Sequence, residues 1–283
     1  MAISTLVKFC DRVGIHWVAR SIIFIVYLLK GKKIKNVKFN AQLSLWEYQV
    51  GKSFFLTQEL SWFSSDEYYL MTLQRYAGFF YMPTLGDMVI DVGAGVGEEV
   101  QPVARLVGPT GKVFAIEANP RTFGILAYFC KKNHLANVNI FQLAITEKAG
   151  HVFIDDDGAY GVQNSISNRA GGAQFKVESI SLDDFIDGNS IAYVDLLKVN
   201  IEGAEQFLVK GMSKSLFKIR RVAISCHDFR FNAGESEFYR TRENVVSFLQ
   251  KHFNIFYQKS GDPVRDNYVY GVNKNCTNAS SFI

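Results

Sequence analysis

Proline is scarce in this chain, five in 283 residues beside 22 glycines, which excludes collagen-like and proline-rich low-complexity architectures. Cysteine is scarcer: Cys10, Cys130, Cys226 and Cys276 form no Cys-x-x-Cys pair and have no histidine at metal-ligand spacing. That pattern argues against a disulfide framework or a structural metal site and for a reducing, cytosolic setting. Asn275-Cys-Thr and Asn278-Ala-Ser match the glycosylation sequon, a tripeptide that matters only in a secreted chain. Charge is also sparse, 20% against 48% apolar residues, so the chain can bury enough surface to offset its ordering entropy and is not disordered. Its length allows one large domain or two small ones.

What charge there is sits unevenly. Residues 1–60 hold nine Lys and Arg against three Asp and Glu, net +6, which leaves −2 for residues 61–283 out of a total of +4. Lys30, Lys32, Lys33, Lys35 and Lys38 follow directly on the apolar run that begins at Ile22. Upstream, Ile3, Leu6, Val7, Cys10, Val13 and Trp17 form a helical stripe opposite Ser4, Lys8, Asp11, Arg12 and His16. From Val13 to Leu29 is 17 residues, interrupted by His16 and Arg20, whereas a span needs about 20 apolar ones. No small-residue cleavage site follows, which disfavours a signal peptide. Three readings remain: an in-plane amphipathic helix touching a membrane surface through residues 1–38, a helix packed on the protein's own core or in a dimer, and a true span. On this division, residues 1–60 form an extension and residues 61–283 the main domain.

Residues 36–82 read as aromatic-rich and irregular until Ser64-Ser-Asp-Glu67 caps a helix running to about Phe80. From residue 87 short β-branched runs alternate with helical stretches, the pattern of a doubly wound, mostly parallel α/β sheet. Strands are expected at Met88–Val92, Lys112–Glu117, Val138–Ile145, Val194–Val199 and Val222–Cys226. Helices are expected near Glu98–Leu106, Pro120–Asn133, Glu202–Gly211 and Arg242–His252, with a short helix after Ser181-Leu-Asp-Asp. His151–Ile154 and Phe175–Ile180 read as strands of an insertion around the Gly/Asn-rich stretch Gly158–Gly172. Phe253–Gln258 and Tyr268–Val272 read as a closing antiparallel hairpin.

The chemistry begins at Asp91-Val-Gly-Ala-Gly-Val-Gly97, between a strand and a helix, where glycines let the backbone approach a ligand and leave amide donors free. A dinucleotide fingerprint needs a third glycine where Glu98 stands, and a glutamate there opposes a pyrophosphate, so a nicotinamide oxidoreductase is a weak rival. Asp91 suits a cationic ligand such as the methionine end of S-adenosylmethionine. Glu117, closing the second strand, is placed to accept from two ribose hydroxyls. Cys226-His-Asp228 ends the fifth strand and puts His227 or Asp228 at the same crevice as Asn200 and Glu202. His227, with an ordinary pKa near 6.5, suits a general base and equally a structural histidine. Glu202 and Glu205 have an equally good reading as first-turn acids of a helix. Asn164-Ser165 reads as a lid contact or a plain turn.

These motifs, with Val107-Gly-Pro-Thr-Gly-Lys-Val-Phe-Ala-Ile-Glu-Ala-Asn-Pro120, Ile180-Ser-Leu-Asp-Asp184 and Leu197-Lys-Val-Asn-Ile-Glu-Gly-Ala-Glu205, resemble the FkbM-type methyltransferases over about residues 65–272. The resemblance implies a Rossmann-like fold, S-adenosylmethionine as donor, and O-methylation of a hydroxyl on a carbohydrate, glycan or related small molecule. It implies donor contacts at Asp91, Gly93, Ala94, Gly95, Gly97 and Glu117; the place of Asn200, Glu202 and His227 at the strand-end crevice makes them the catalytic candidates, with no metal assigned. Asn200 stands where the family pattern has Asp; it keeps shape and an acceptor oxygen but loses the charge. The chain is then either a methyltransferase adapted to its acceptor or a non-catalytic S-adenosylmethionine-binding protein. Nucleic acid is not an expected partner, because the main domain is net negative and no Asn/Asp-Pro-Pro-aromatic signature occurs. Nothing in the pattern assigns an oligomeric state.

Overall fold

The computed structural model describes residues 5, 9–10, 12–29, 34–59, 63–155 and 174–276. The Gly158–Gly172 stretch with Asn164 and Ser165, the apolar positions Ile3, Leu6 and Val7, and Lys30, Lys32 and Lys33 lie outside them. Helix α1 (His16–Leu29) starts only after Gly14, whose φ of +76° interrupts the N-terminal helical pattern. At 14 residues it is too short to cross a bilayer, and no helix among the described residues is long and apolar enough to do so.

The segment expected to be irregular is instead a three-stranded antiparallel sheet: β1 (Ile34–Asn40), β2 (Leu45–Val50) and β3 (Ser53–Thr57). It escaped a period-two reading because Leu45, Trp46, Glu47 and Tyr48 are all buried in succession, which erases the alternation of a half-exposed strand. The sheet shares a core with Ala19 and Ile23 of α1 and with Ile125 and Phe129 of a helix in the main domain.

Helix α2 (Asp66–Arg75) is capped by Ser65 Oγ, which accepts from Tyr68 N, and ends short of Phe80 because Gly78 N returns to Leu73 O at 2.8 Å. Then come β4 (Met88–Val92), α3 (Val100–Val107), β5 (Lys112–Ile116), α4 (Pro120–Lys132) and β6 (Val138–Phe141). Asn119 Oδ1 caps α4 by accepting from Arg121 N and Thr122 N, with Pro120 supplying the fixed φ of a first helical residue. The run expected as one strand to Ile145 divides: β6 stays in the main sheet, and β7 (Ala144–Thr146) joins β8 (Gly150–Asp155) and β9 (Gln174–Ser181) in a separate three-stranded sheet.

The chain continues through α5 (Leu182–Gly188), capped by Ser181, β10 (Leu196–Val199), α6 (Glu205–Lys210), β11 (Arg221–Ser225), α7 (Asp228–Asn232), α8 (Arg242–Leu249), β12 (Phe253–Phe256), α9 (Pro263–Asp266) and β13 (Tyr268–Asn273). The main sheet has seven strands in the order β12-β13-β11-β10-β4-β5-β6, with β13 antiparallel to both neighbours. Its central strands carry Ile90, Leu197, Val199 and Ile224 fully buried, the near-continuous apolar content of a sheet covered on both faces. Strand order reverses between β10 and β4, and in such sheets ligands bind beyond the carboxyl ends of the strands at the reversal.

Asn133, at the end of α4, ties the small sheet to the large one: its Oδ1 accepts from Phe54 N at 2.9 Å and Gln101 Nε2 at 3.0 Å, while its Nδ2 donates to Phe54 O. Asn133→Ala leaves those groups without partners and is expected to cost about 1–3 kcal/mol, read as a lower midpoint in thermal or urea unfolding.

Candidate active site

The crevice opens where β4 and β10 end. Gly93 leaves β4 with φ +80°, and a Cβ there would lie 1.8 Å from the Asn200 carbonyl oxygen, so the two chain segments meet only through glycine. Gly93 N and Ala94 N both donate to Ile116 O, which fixes the turn against β5. Gly95 N donates to Glu117 Oε2 at 3.0 Å, and Asn119 N donates to Glu117 Oε1 at 2.9 Å. Burial pushes the Glu117 carboxyl up to about 7, offset in part by those two amides.

A cavity of about 560 Å³ lies over these strand ends, within the range of small-molecule sites. Gly93, Ala94, Gly95, Glu117, Asn200, Glu202 and His227 all line it. Asp91 and Gly97, also expected as donor contacts, stand behind that lining. Asp91 is buried and faces Lys198 Nζ at 2.8 Å, its partner across the β4–β10 register. Lys198 Nζ also reaches Glu99 Oε2 at 3.1 Å and donates to Gly93 O at 3.0 Å. Burial raises the Asp91 carboxyl to about 6 although Lys198 opposes the rise. Gly97 has φ +101°, and a Cβ there would meet the Phe129 ring at 2.7 Å, so this glycine seats the turn on α4.

At the other end of the cavity the expected helix at residue 202 begins only at Glu205, because Glu202 (φ +51°) and Gly203 (φ +97°) are left-handed. A glutamate in that region is held there by its surroundings. Glu202 Oε2 receives Arg230 Nη1 at 2.7 Å, and Glu202 Oε1 faces His227 Nε2 at 3.3 Å. His227 Nδ1 meets Glu205 Oε1 at 2.8 Å, and Glu205, fully buried, also accepts from Gly203 N. Burial alone would lower the His227 imidazole, but Glu205 and then Glu202 outweigh it and hold it up at about 10. With a carboxylate at each ring nitrogen the charged imidazole is favoured, which suits His227 to positioning Glu202 more than to the general-base role expected of it. Asp228 does not line the cavity; its Oδ2 accepts from Thr241 N and Arg242 N at the start of α8. Glu202 is the opposite case; burial would raise it, yet His227 and Arg230 keep it below the ordinary carboxylate range.

Two lining residues escaped sequence reading. Lys198 stood inside the quoted Leu197–Glu205 block, and its place opposite Asp91 was a signal that only the strand register supplies. Arg230 is brought to the cavity by Glu202, 28 residues away, a pairing with no local signal.

The residues fit an S-adenosylmethionine donor. Glu117 presents a ribose acceptor, Ile116, Leu143 and Ile145 give that end an apolar wall for a purine, and Gly95 leaves open space where any side chain would stand. Asn200 Oδ1 is buried with no hydrogen-bond partner among the described residues, a state that a ligand donor relieves.

A glycine turn, a ribose-directed acid and a crevice at the strand reversal together define a Rossmann-like methyltransferase fold. The model of the methyltransferase FkbM domain matches residues 91–256, more than half of the chain, and the chain belongs to that family of S-adenosylmethionine-dependent methyltransferases. It is 23% identical over 143 residues to the hexuronic acid methyltransferase AglP of Haloferax volcanii, covering 50% of this chain and 56% of that protein. It is 23% identical over 166 residues to the 2-O-methyltransferase NoeI of Sinorhizobium fredii, covering 52% of this chain and 66% of that one. The chain thus spans between half and two thirds of the curated relatives it matches. Among solved structures, a methyltransferase FkbM from Methylobacillus flagellatus KT superposes with a TM-score of 0.50 at 16% identity, covering 73% of this chain and 50% of the other.

Replacing Glu117 by Ala should weaken donor binding about tenfold to a hundredfold, the cost of leaving ribose hydroxyls unpaired. Because the Glu117 pKa is raised to about 7, wild-type donor affinity should decline as pH falls through 7 and the carboxylate takes up a proton. In Glu117→Gln the affinity should be low and flat with pH; calorimetric titration between pH 5.5 and 8.5 separates the two.

Proposed function

We propose that this chain is an O-methyltransferase that places a methyl group on a hydroxyl of a carbohydrate or related small molecule. The observation that carries the reading is the two-ended cavity, with the Glu117 and glycine-turn end for the donor and Asn200 with Glu202 at the end where an acceptor enters. The likeness to AglP, a hexuronic acid methyltransferase, and to NoeI, a 2-O-methyltransferase, supports it.

S-adenosylmethionine, when bound, supplies an electrophilic methyl group. The protein's task is then to line up an oxygen and receive its proton. Asn200 Oδ1, buried without a partner, accepts a hydrogen bond from an acceptor hydroxyl and orients it. Glu202, kept anionic by His227 and Arg230, receives the proton; the hydroxyl turns strongly acidic as its new C–O bond forms, so a carboxylate suffices as base. His227 is a positioning residue that holds Glu202 against Glu205. Arg230, stacked 3.9 Å over Tyr239, braces Glu202 from the other side.

Release of S-adenosylhomocysteine across sugars, sugar nucleotides, lipid-linked sugars and small alcohols tests the reading. Turnover with a sugar hydroxyl supports it; donor binding with no product from any acceptor would favour a binding protein instead. Asn200→Asp should lower turnover with little change in donor affinity, since the new charge stands in the same recess as Glu202. A rise in turnover would show that Asn200 is a lost catalytic acid.

We also propose that the extension rests on an anionic membrane surface. Ala19 and Ile23 of α1 face the protein, while Trp17 (73% exposed), Ile25 (56%) and Phe24 (51%) face outward. Residues 12–46 contain seven Lys and Arg and no acid. Aromatic and aliphatic side chains beside a cation-rich stretch of sequence suit an interface of lipid and anionic headgroups. In co-sedimentation with phosphatidylserine-containing vesicles, the chain should bind and a Trp17→Glu/Phe24→Glu double variant should not; equal binding by both would sink the idea.

A further inference from the structure

The cavity's charges are unevenly matched. Five carboxylates line it, those of Glu98, Glu99, Glu117, Glu202 and Glu235, against three cations, Lys198, His227 and Arg230. None of the three cations is spare. Lys198 is held by Asp91, Glu99 and the Gly93 carbonyl. His227 lies between Glu202 and Glu205. Arg230 gives one terminal nitrogen to Glu202 at 2.7 Å and the other to Glu235 at 2.6 Å, with its Nε also on Glu235. A bidentate guanidinium is the group that would ordinarily grip a carboxylate or phosphate, and here both faces of the fork are taken by the protein's own acids.

An anionic acceptor would therefore meet two carboxylates at the Glu202 end and, among the described residues lining the cavity, no cation that is not already paired. The net-cationic donor offsets one negative charge of the excess. Like-charge contact in a recessed site costs enough to decide between substrates. A neutral hydroxyl compound faces no such penalty, and it satisfies what the site leaves open: Asn200 Oδ1 needs a donor, and the Phe229 ring on the same wall offers a flat apolar face.

Resting on the O-methyltransferase reading, we infer that the acceptor carries no negative charge: an uncharged sugar or similar polyol, in preference to a uronic acid or a sugar phosphate. The paired acids Glu202 and Glu235, by consuming Arg230, are the selectivity device.

The test uses the full chain and matched methyl glycosides that differ only at C6, glucoside with glucuronide, galactoside with galacturonide, mannoside with mannuronide. Two readouts are taken: release of S-adenosylhomocysteine from the donor-loaded protein, and calorimetric binding to protein loaded with S-adenosylhomocysteine. The neutral member of a pair should bind and turn over about tenfold better or more than its uronide. Glu235→Gln, which frees half of the Arg230 fork, should shift that ratio several-fold toward the uronide. Equal or tighter binding of uronides by the unaltered chain overturns the inference, whether or not a methyl group is transferred. Neutral binding without any transfer overturns the O-methyltransferase reading alone, and binding of neither member of any pair overturns both.

Discussion

A single buried cation organises the catalytic end of the molecule. Lys198 is 5% exposed, and its ammonium is surrounded by Asp91, Glu99 and the Gly93 carbonyl. Burying a lone ammonium is costly, so the lysine is tolerable only because β4 and the glycine turn bring two carboxylates to it. The converse also holds: Asp91 and the Gly93 carbonyl sit where they do because β10 delivers a charge to them. Two strands that are distant in sequence are thus stitched at the point where strand order reverses, and the turn that receives the donor is fixed in the same stroke. Gly93 admits the close approach of Asn200, so the donor end and the acceptor end of the cavity share one wall.

The second cluster is built on the same logic with the signs exchanged. Glu202 is an anion in a left-handed backbone, a conformation that costs of order 1–3 kcal/mol, and it is held by a histidinium on one side and a guanidinium on the other. Glu205, buried completely, is what keeps the histidine charged. The arrangement explains why the histidine nearest the crevice acts as scaffold while the carboxylate it supports faces the cavity.

How much of this could be read from the chain depended on distance along it. The glycine turn, Glu117, the alternation of strands and helices and the closing hairpin lie in short contiguous patterns, and the sheet follows them within a residue or two at most boundaries. The split at Gln142 and Leu143, between β6 and β7, was hidden in one mostly apolar stretch, because local pattern does not say which sheet a residue joins. β2 was hidden by burial on both faces, with Glu47 enclosed among aromatics and bonded to Tyr128 of α4 at 2.6 Å. Residue type suggested a base at His227, but its protonation state is set by Glu205, 22 residues earlier, and by Glu202. The ion pair of Asp91 with Lys198 was illegible for the same reason: the two meet only across the sheet.

The extension differs from the rest in charge but not in cohesion. Phe129, on whose ring Gly97 rests, also belongs to the cluster that contains Phe55, Tyr69 and Trp46. The glycine turn is therefore backed by hydrocarbon supplied from before residue 60, one helix removed. Severing the two would leave Ile125 and Phe129 facing water on the reverse side of the donor site. The small sheet and the glycine turn thus lean on opposite sides of one helix, α4, and share its hydrocarbon.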